Sequence, residues 1–214
     1  MKSNLLKRSL ALLLAVFMIL TVSSAVFAVS EDEGEIVAEA TYYCYVKSPG
    51  HCWIYVENLT DETFTVGIYE LEPYGGVSVG TFGHTRYDGW GIYYNIEAYV
   101  QETHGIGKCT TFSEQLTREK LEKLSNTIYS YKNSWNYFRN CTSFAAKAWN
   151  SISSKKVSAL LFPTFVRFMM NLRNPEKKVP DMKSVPRDRV YRQIGNGSDA
   201  YLKTVKDRSL RSLA

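Results

Sequence analysis

The hydrophobic repeat of this chain changes period once, and that change constrains its fold more than any other feature. From Thr41 to Val100, Tyr, Val, Ile, Phe and Trp crowd between Gly, Pro, Asn and Asp, which is the pattern of strands joined by turns. Strands are expected near Thr41–Lys47, His51–Glu57, Phe64–Leu71, Val77–Phe82 and Gly91–Tyr99. The loop Asn58 to Thr63 would join the second and third into a hairpin. Beyond residue 112 the apolar residues recur at three and four. Thr117 can cap a helix to about Tyr131, with Leu121, Leu124, Ile128 and Tyr131 on one stripe. A second helix is expected near Thr142, burying Phe144, Ala145, Ala148, Trp149 and Ile152. A third follows Pro163 and Thr164, with Phe165, Phe168, Met169 and Leu172 inward. Strands followed by helices predict an α+β domain, an antiparallel β-sheet packed against helices.

Composition bounds the rest. The chain has 214 residues, 45% hydrophobic and 22% charged, which suits one globular domain. Residues 1–28 read as a signal peptide: Lys2, Lys7 and Arg8, then an apolar run from Leu10 to Val22, then small residues at Val26 and Ala28. An uncleaved anchor is the other reading of that run. Residues 29–40 form an acidic linker, 41–173 the candidate catalytic domain, and 174–214 a basic C-terminal tail expected to be extended and to fray. The expected location is secreted or cell-surface, without stable membrane insertion once the signal is cleaved. Without Lys2, Lys7 and Arg8 the chain carries 23 basic against 21 acidic residues, too even for a dedicated nucleic-acid binder.

The candidate chemistry rests on two segments. In Asn140-Cys141-Thr142-Ser143-Phe144-Ala145-Ala146-Lys147-Ala148-Trp149-Asn150 the cysteine stands at a helix N-terminus, where free N–H groups favour the thiolate. A thiolate there is a nucleophile; a buried cysteine is otherwise a small hydrophobe. In Gly50-His51-Cys52-Trp53-Ile54-Tyr55-Val56-Glu57-Asn58 the histidine opens a strand. His51, Trp53 and Tyr55 share one face, and Cys52, Ile54 and Val56 the other. Trp53 and Tyr55 are candidates to line a cleft, and Asn140 to position the loop beside Cys141 or simply to cap its helix.

These two segments resemble the circularly permuted branch of the papain-like NlpC superfamily, which includes the lecithin–retinol acyltransferase-like proteins. In that branch the histidine strand precedes the cysteine helix, as here, with about 90 residues between. The resemblance spans roughly residues 45 to 170. It implies a circularly permuted papain-like fold with Cys141 as nucleophile and His51 as general base. It further implies a secreted cysteine peptidase or amidase acting on peptide or peptidoglycan, or a thiol-dependent acyltransferase or lipid hydrolase. A non-catalytic secreted binding protein is the reading from a different class, with the aromatic strands as its surface.

A third polar residue is expected to orient the imidazole. If the loop from Asn58 to Thr63 closes a hairpin, His51 lies opposite Glu70; a slip of one residue would bring Tyr69 there instead, and His84 is the other alternative. His104 reads as a surface residue. No cofactor is expected, and no paired Cys or His spacing suggests a metal site. Cys44, Cys52 and Cys109 leave room for at most one internal disulfide, of undetermined pairing. Nothing in the chain fixes its oligomeric state.

Overall fold

Ten strands and four α-helices form a mixed α+β fold among the residues described by this computed structural model, 34–47, 50–83, 89–159 and 162–206. The expected signal peptide, His84 and the last eight residues lie outside the described residues. The chain runs β1 (Ile36–Tyr45), β2 (His51–Asn58), β3 (Phe64–Val66), β4 (Tyr69–Leu71), β5 (Gly76–Phe82), β6 (Gly91–Tyr94), α1 (Ile96–Thr103), β7 (Cys109–Thr117), α2 (Arg118–Tyr129), α3 (Cys141–Ile152), α4 (Pro163–Asn171), β8 (Glu176–Lys178), β9 (Tyr191–Ile194) and β10 (Tyr201–Thr204). Eight strands make one antiparallel sheet in the order β10-β9-β6-β5-β2-β1-β7-β8, and β3 and β4 form a separate hairpin.

Strand alternation sorts the core into two layers. On one face Tyr42, Cys44, Cys52, Ile54 and Val56 pack against Leu121, Leu124 and Ile128 of α2, Phe144, Ala145, Ala148 and Trp149 of α3, and Val166 and Met170 of α4. On the other, Tyr43 stacks on Trp53 at 5.0 Å between centroids, beside Tyr55 and Cys109. Thr117 caps α2 by accepting from Lys120 N, as its sequence predicts, and α3 buries the five residues expected of it.

The register of β2 differs from the expected hairpin. β2 pairs with β5, Ile54 opposite Val79 and Glu57 opposite Gly76. Residues 59–75 leave the sheet and return. Asn58 closes the base of that excursion, its Nδ2 donating to Glu62 O and Glu72 O at 2.7 and 3.0 Å. The expected strand Phe64–Leu71 breaks at Gly67, whose φ of 66° makes the β3–β4 turn and whose missing side chain admits Tyr94 and Ile128. Glu70 therefore pairs with Thr65 on an exposed edge, far in register from His51, and the expectation that it orients the histidine is corrected.

Three further expectations change. The segment Gly91–Tyr99 is a strand only to Tyr94; Asn95, at φ 69°, turns it into α1. Strand β7 stands between β1 and β8 where none was expected. In α4, Val166 and Met170 point inward while Phe165 and Phe168 are exposed. Pro163 sets that rotation: its carbonyl accepts from Cys44 Sγ at 3.2 Å, and its ring lies against Gly50.

The segment expected to fray from Asn174 instead supplies β8 to one sheet edge and β9 and β10 to the other. It buries Val185, Val190 and Val205. Ending the chain at Asn174 should therefore destabilise it by at least about 4 kcal/mol, since each buried valine contributes about 1.5 kcal/mol or more. Urea unfolding measures this; an unchanged midpoint would mean that the segment is an appendage.

Candidate active site

His51 and Cys141 come together at the open end of β2. The cysteine is the first residue of α3, and Asn140 fixes that start. Its side chain accepts from Ser143 N at 3.1 Å and from Thr142 Oγ1 at 2.6 Å, while Ser143 Oγ accepts from Asn140 N at 3.0 Å, a reciprocal capping box. Asn140 is buried and acts as the cap. The Cys141 sulfur is close enough to the His51 ring and to the backbone N–H groups of Cys52 and Thr142 for all three to stabilise its anion. Helix and strand thus each present an amide to one sulfur.

The imidazole is held from its far side by Glu97. His51 Nε2 lies 2.8 Å from Glu97 Oε1, and the carboxylate is almost fully buried. With Nε2 so engaged, Nδ1 is the ring nitrogen left for the sulfur. Ser78 Oγ donates to Glu97 Oε2 at 2.8 Å and itself accepts from Ala98 N. Asn95 sets the helix start that carries Glu97, its Nδ2 donating to Arg189 O and its Oδ1 accepting from Ser78 N. The ring is packed between Phe82, 4.4 Å away between centroids, and Trp53 at 5.6 Å.

Burial works against both charges, and the partners outweigh it. Burial would lower the His51 pKa, but the Cys141 sulfur and then Glu97 raise it to about 10. Burial would raise the Cys141 thiol, but His51 and the two backbone amides bring it below the ordinary thiol range. Each partner thus favours the charged form of the other, imidazolium for His51 and thiolate for Cys141. Burial pushes the Cys109 thiol up to about 12 and raises that of Cys52 well above its usual value. All four cysteines are free thiols, and Cys44 and Cys52 face each other across β1 and β2.

The space for this contact is made by Gly80. A Cβ there would overlap Glu97 Oε1 and lie 2.9 Å from His51 Nε2. The residue reaches this position because β5 pairs with β2 and presents Ser78, Gly80 and Phe82 on the face that carries His51.

Trp53 and Tyr55, expected to line a cleft, are core residues behind the histidine. Trp53 is buried and stacked on Tyr43 and His51, and the Tyr55 hydroxyl accepts from Lys183 N at 2.8 Å. Tyr69 stacks on Tyr94, away from the site. His104 is exposed at the end of α1, as expected. Among the described residues no group of His, Cys, Asp and Glu could hold a metal ion. Glu97 is the site residue that sequence reasoning missed. The signal was local: Ile96, Tyr99 and Val100 recur at three and four, and Asn95 precedes an acidic residue suited to a first helical turn. No family model matches the chain, nor does any curated protein or solved structure.

Two outcomes follow from this geometry. Alkylation by iodoacetamide at mildly acidic pH should modify Cys141 before Cys52 or Cys109, read by mass spectrometry of peptides. His51→Ala should slow it at least about tenfold, because burial then acts on the thiol with no neighbouring cation. Gly80→Ala tests the orienting contact. Its backbone suits alanine, so the fold should survive at a cost of about 1–3 kcal/mol. Displacing Glu97 weakens the imidazolium, so the pH at which Cys141 becomes half reactive should rise; an unmoved profile would show that the carboxylate is not what holds the ring.

Proposed function

We propose that this chain is an exported thiol hydrolase of the circularly permuted papain-like type, cleaving amide bonds of peptide or peptidoglycan through a Cys141 acyl-enzyme. One observation supports the reading above the others: carboxylate, imidazole and sulfur stand in series at a helix N-terminus, the histidine pKa pushed up and the thiol pKa pushed down by their mutual contact. A structural cysteine has no need of that electrostatic arrangement. The chain order, histidine strand before cysteine helix, agrees with the resemblance. The orienting acid reaches the ring from α1, in place of the Glu70 or Tyr69 expected from a hairpin register.

The chemistry follows ordinary thiol acyl transfer. The Cys141 sulfur attacks the carbonyl carbon, and the carbonyl π electrons move to oxygen. The backbone N–H groups of Cys52 and Thr142, which stabilise the thiolate, are suited to share the oxyanion. Collapse breaks the C–N bond as the His51 imidazolium gives its proton to the leaving amine. Neutral His51 then takes a proton from water, whose oxygen attacks the thioester, and the thiolate departs. Glu97 keeps the ring in orientation and stabilises its cation throughout.

The same acyl-enzyme would serve an acyltransferase, with another acceptor in place of water. Exposed aromatic residues beside the cysteine, Tyr137 and Phe138, give that reading its support. Incubation with cell-wall fragments, peptides and acyl lipids, followed by mass spectrometry, separates the two by the product released. Cys141→Ala should abolish turnover, and His51→Ala should lower kcat/KM by about 10²- to 10⁴-fold. Turnover that persists in Cys141→Ala would end the proposal.

A further inference from the structure

The acidic residues are distributed unevenly. Between Glu122 and Glu176 there is no Asp or Glu, against eight Lys and Arg. That stretch also holds most of the exposed apolar surface. Phe138, Leu172, Phe168, Tyr137, Phe162 and Phe165 are exposed from 78% down to 41%. Tyr137 contacts both Phe138 and Phe162, and Phe165 contacts Phe168, so the two halves of the stretch meet. On α4, Val166 and Met170 face the core while Phe165, Phe168 and Leu172 recur on an outward side. The remaining side carries Arg167 and Asn171. They border a cavity of about 360 Å³ that is also lined by Lys108, Lys177 and Thr110, with no acidic residue in its wall.

We propose that this face seats the protein on an anionic lipid bilayer, the Phe and Leu side chains entering the interface and the cationic cavity receiving a lipid headgroup phosphate. A helix with bulky apolar residues on one side and Arg on another is the form that lies in the plane of a membrane surface. Charge selects this occupant over a second copy of the chain. A symmetric pairing would set this cationic face, with Lys156, Arg167 and Arg173, against the same cationic face of a second copy, with no carboxylate in the stretch to offset the repulsion. A soluble anionic polymer would meet the cations but would leave the exposed phenylalanines in water. The surface adjoins the mouth of the candidate active site, because Tyr137 O accepts from Asn140 Nδ2 and Pro163 lies against Gly50.

The test is flotation of the chain from Val29 onward, which contains the whole compact unit, with vesicles of phosphatidylglycerol and phosphatidylcholine and with vesicles of phosphatidylcholine alone. Binding to the anionic vesicles is expected. It should fall at least about tenfold both in Phe165→Ser/Phe168→Ser and in Arg167→Glu/Lys177→Glu. Low-pH labelling of Cys141 in the same variants reports that the fold is intact. Cys141→Ala should bind as the parent does, so a failure of the catalytic proposal and a failure of this one are read separately. Equal binding to neutral vesicles, no binding to either, binding insensitive to the two double substitutions, or a dimer abolished by the serine substitutions would each overturn the assignment.

Discussion

A carboxylate buried inside this fold has to be paired, and the pairing of Glu97 organises the site end of the sheet. An ionised group removed from water carries a penalty of several kcal/mol unless hydrogen bonds and an opposite charge replace the lost hydration. Here the replacement comes from His51 on β2 and Ser78 on β5, with the first turn of α1 delivering the carboxylate. Each depends on another. β5 must pair with β2 in the observed register for Ser78 and Gly80 to face His51, and β6 must end at Asn95 for Glu97 to arrive. The cationic ring that results is what the Cys141 sulfur meets. Register, helix start and thiol electrostatics are thus one linked arrangement.

Local chemistry explains which parts were legible beforehand. Thr117 and Asn140 declare helix starts because a short polar side chain must satisfy free N–H groups, and that requirement is visible in a few residues. The strand of His51 and the helix of Cys141 were readable for the same reason. Strand partnership was not. The loop after Asn58 looks like a hairpin turn, and only the tertiary contacts of Asn58 and Gly67 divert the chain into a small separate ribbon. A hairpin there would bring Glu70 opposite His51, whereas the diverted chain leaves that place to Glu97 of α1. The face of α4 is hidden in the sequence because its Phe residues are the bulkiest apolar side chains there, whereas the wedge at Pro163 decides the rotation.

The C-terminal segment shows the same limit of composition. Its charge and prolines suggest a solvated tail, yet short runs such as Tyr201 to Thr204 are enough for an edge strand. Edge strands tolerate charged residues because one side of the ladder meets solvent, and lysine there discourages pairing with other chains. Lys177, Lys178 and Lys203 occupy β8 and β10, the two outermost strands. The segment therefore closes both borders of the sheet with residues that disfavour further growth.

The clasp at Asn58 has an evolutionary reading. Because one amide grips both ends of the excursion at its base, what happens between those ends is isolated from the pairing of β2 with β5. The entropy of closing a longer or shorter ribbon there grows only slowly with its length. Phe64, Val66 and Leu71 within it stay bound to the core, so descendants of this chain can vary its exposed positions while the imidazole, the carboxylate and the sulfur keep their mutual alignment.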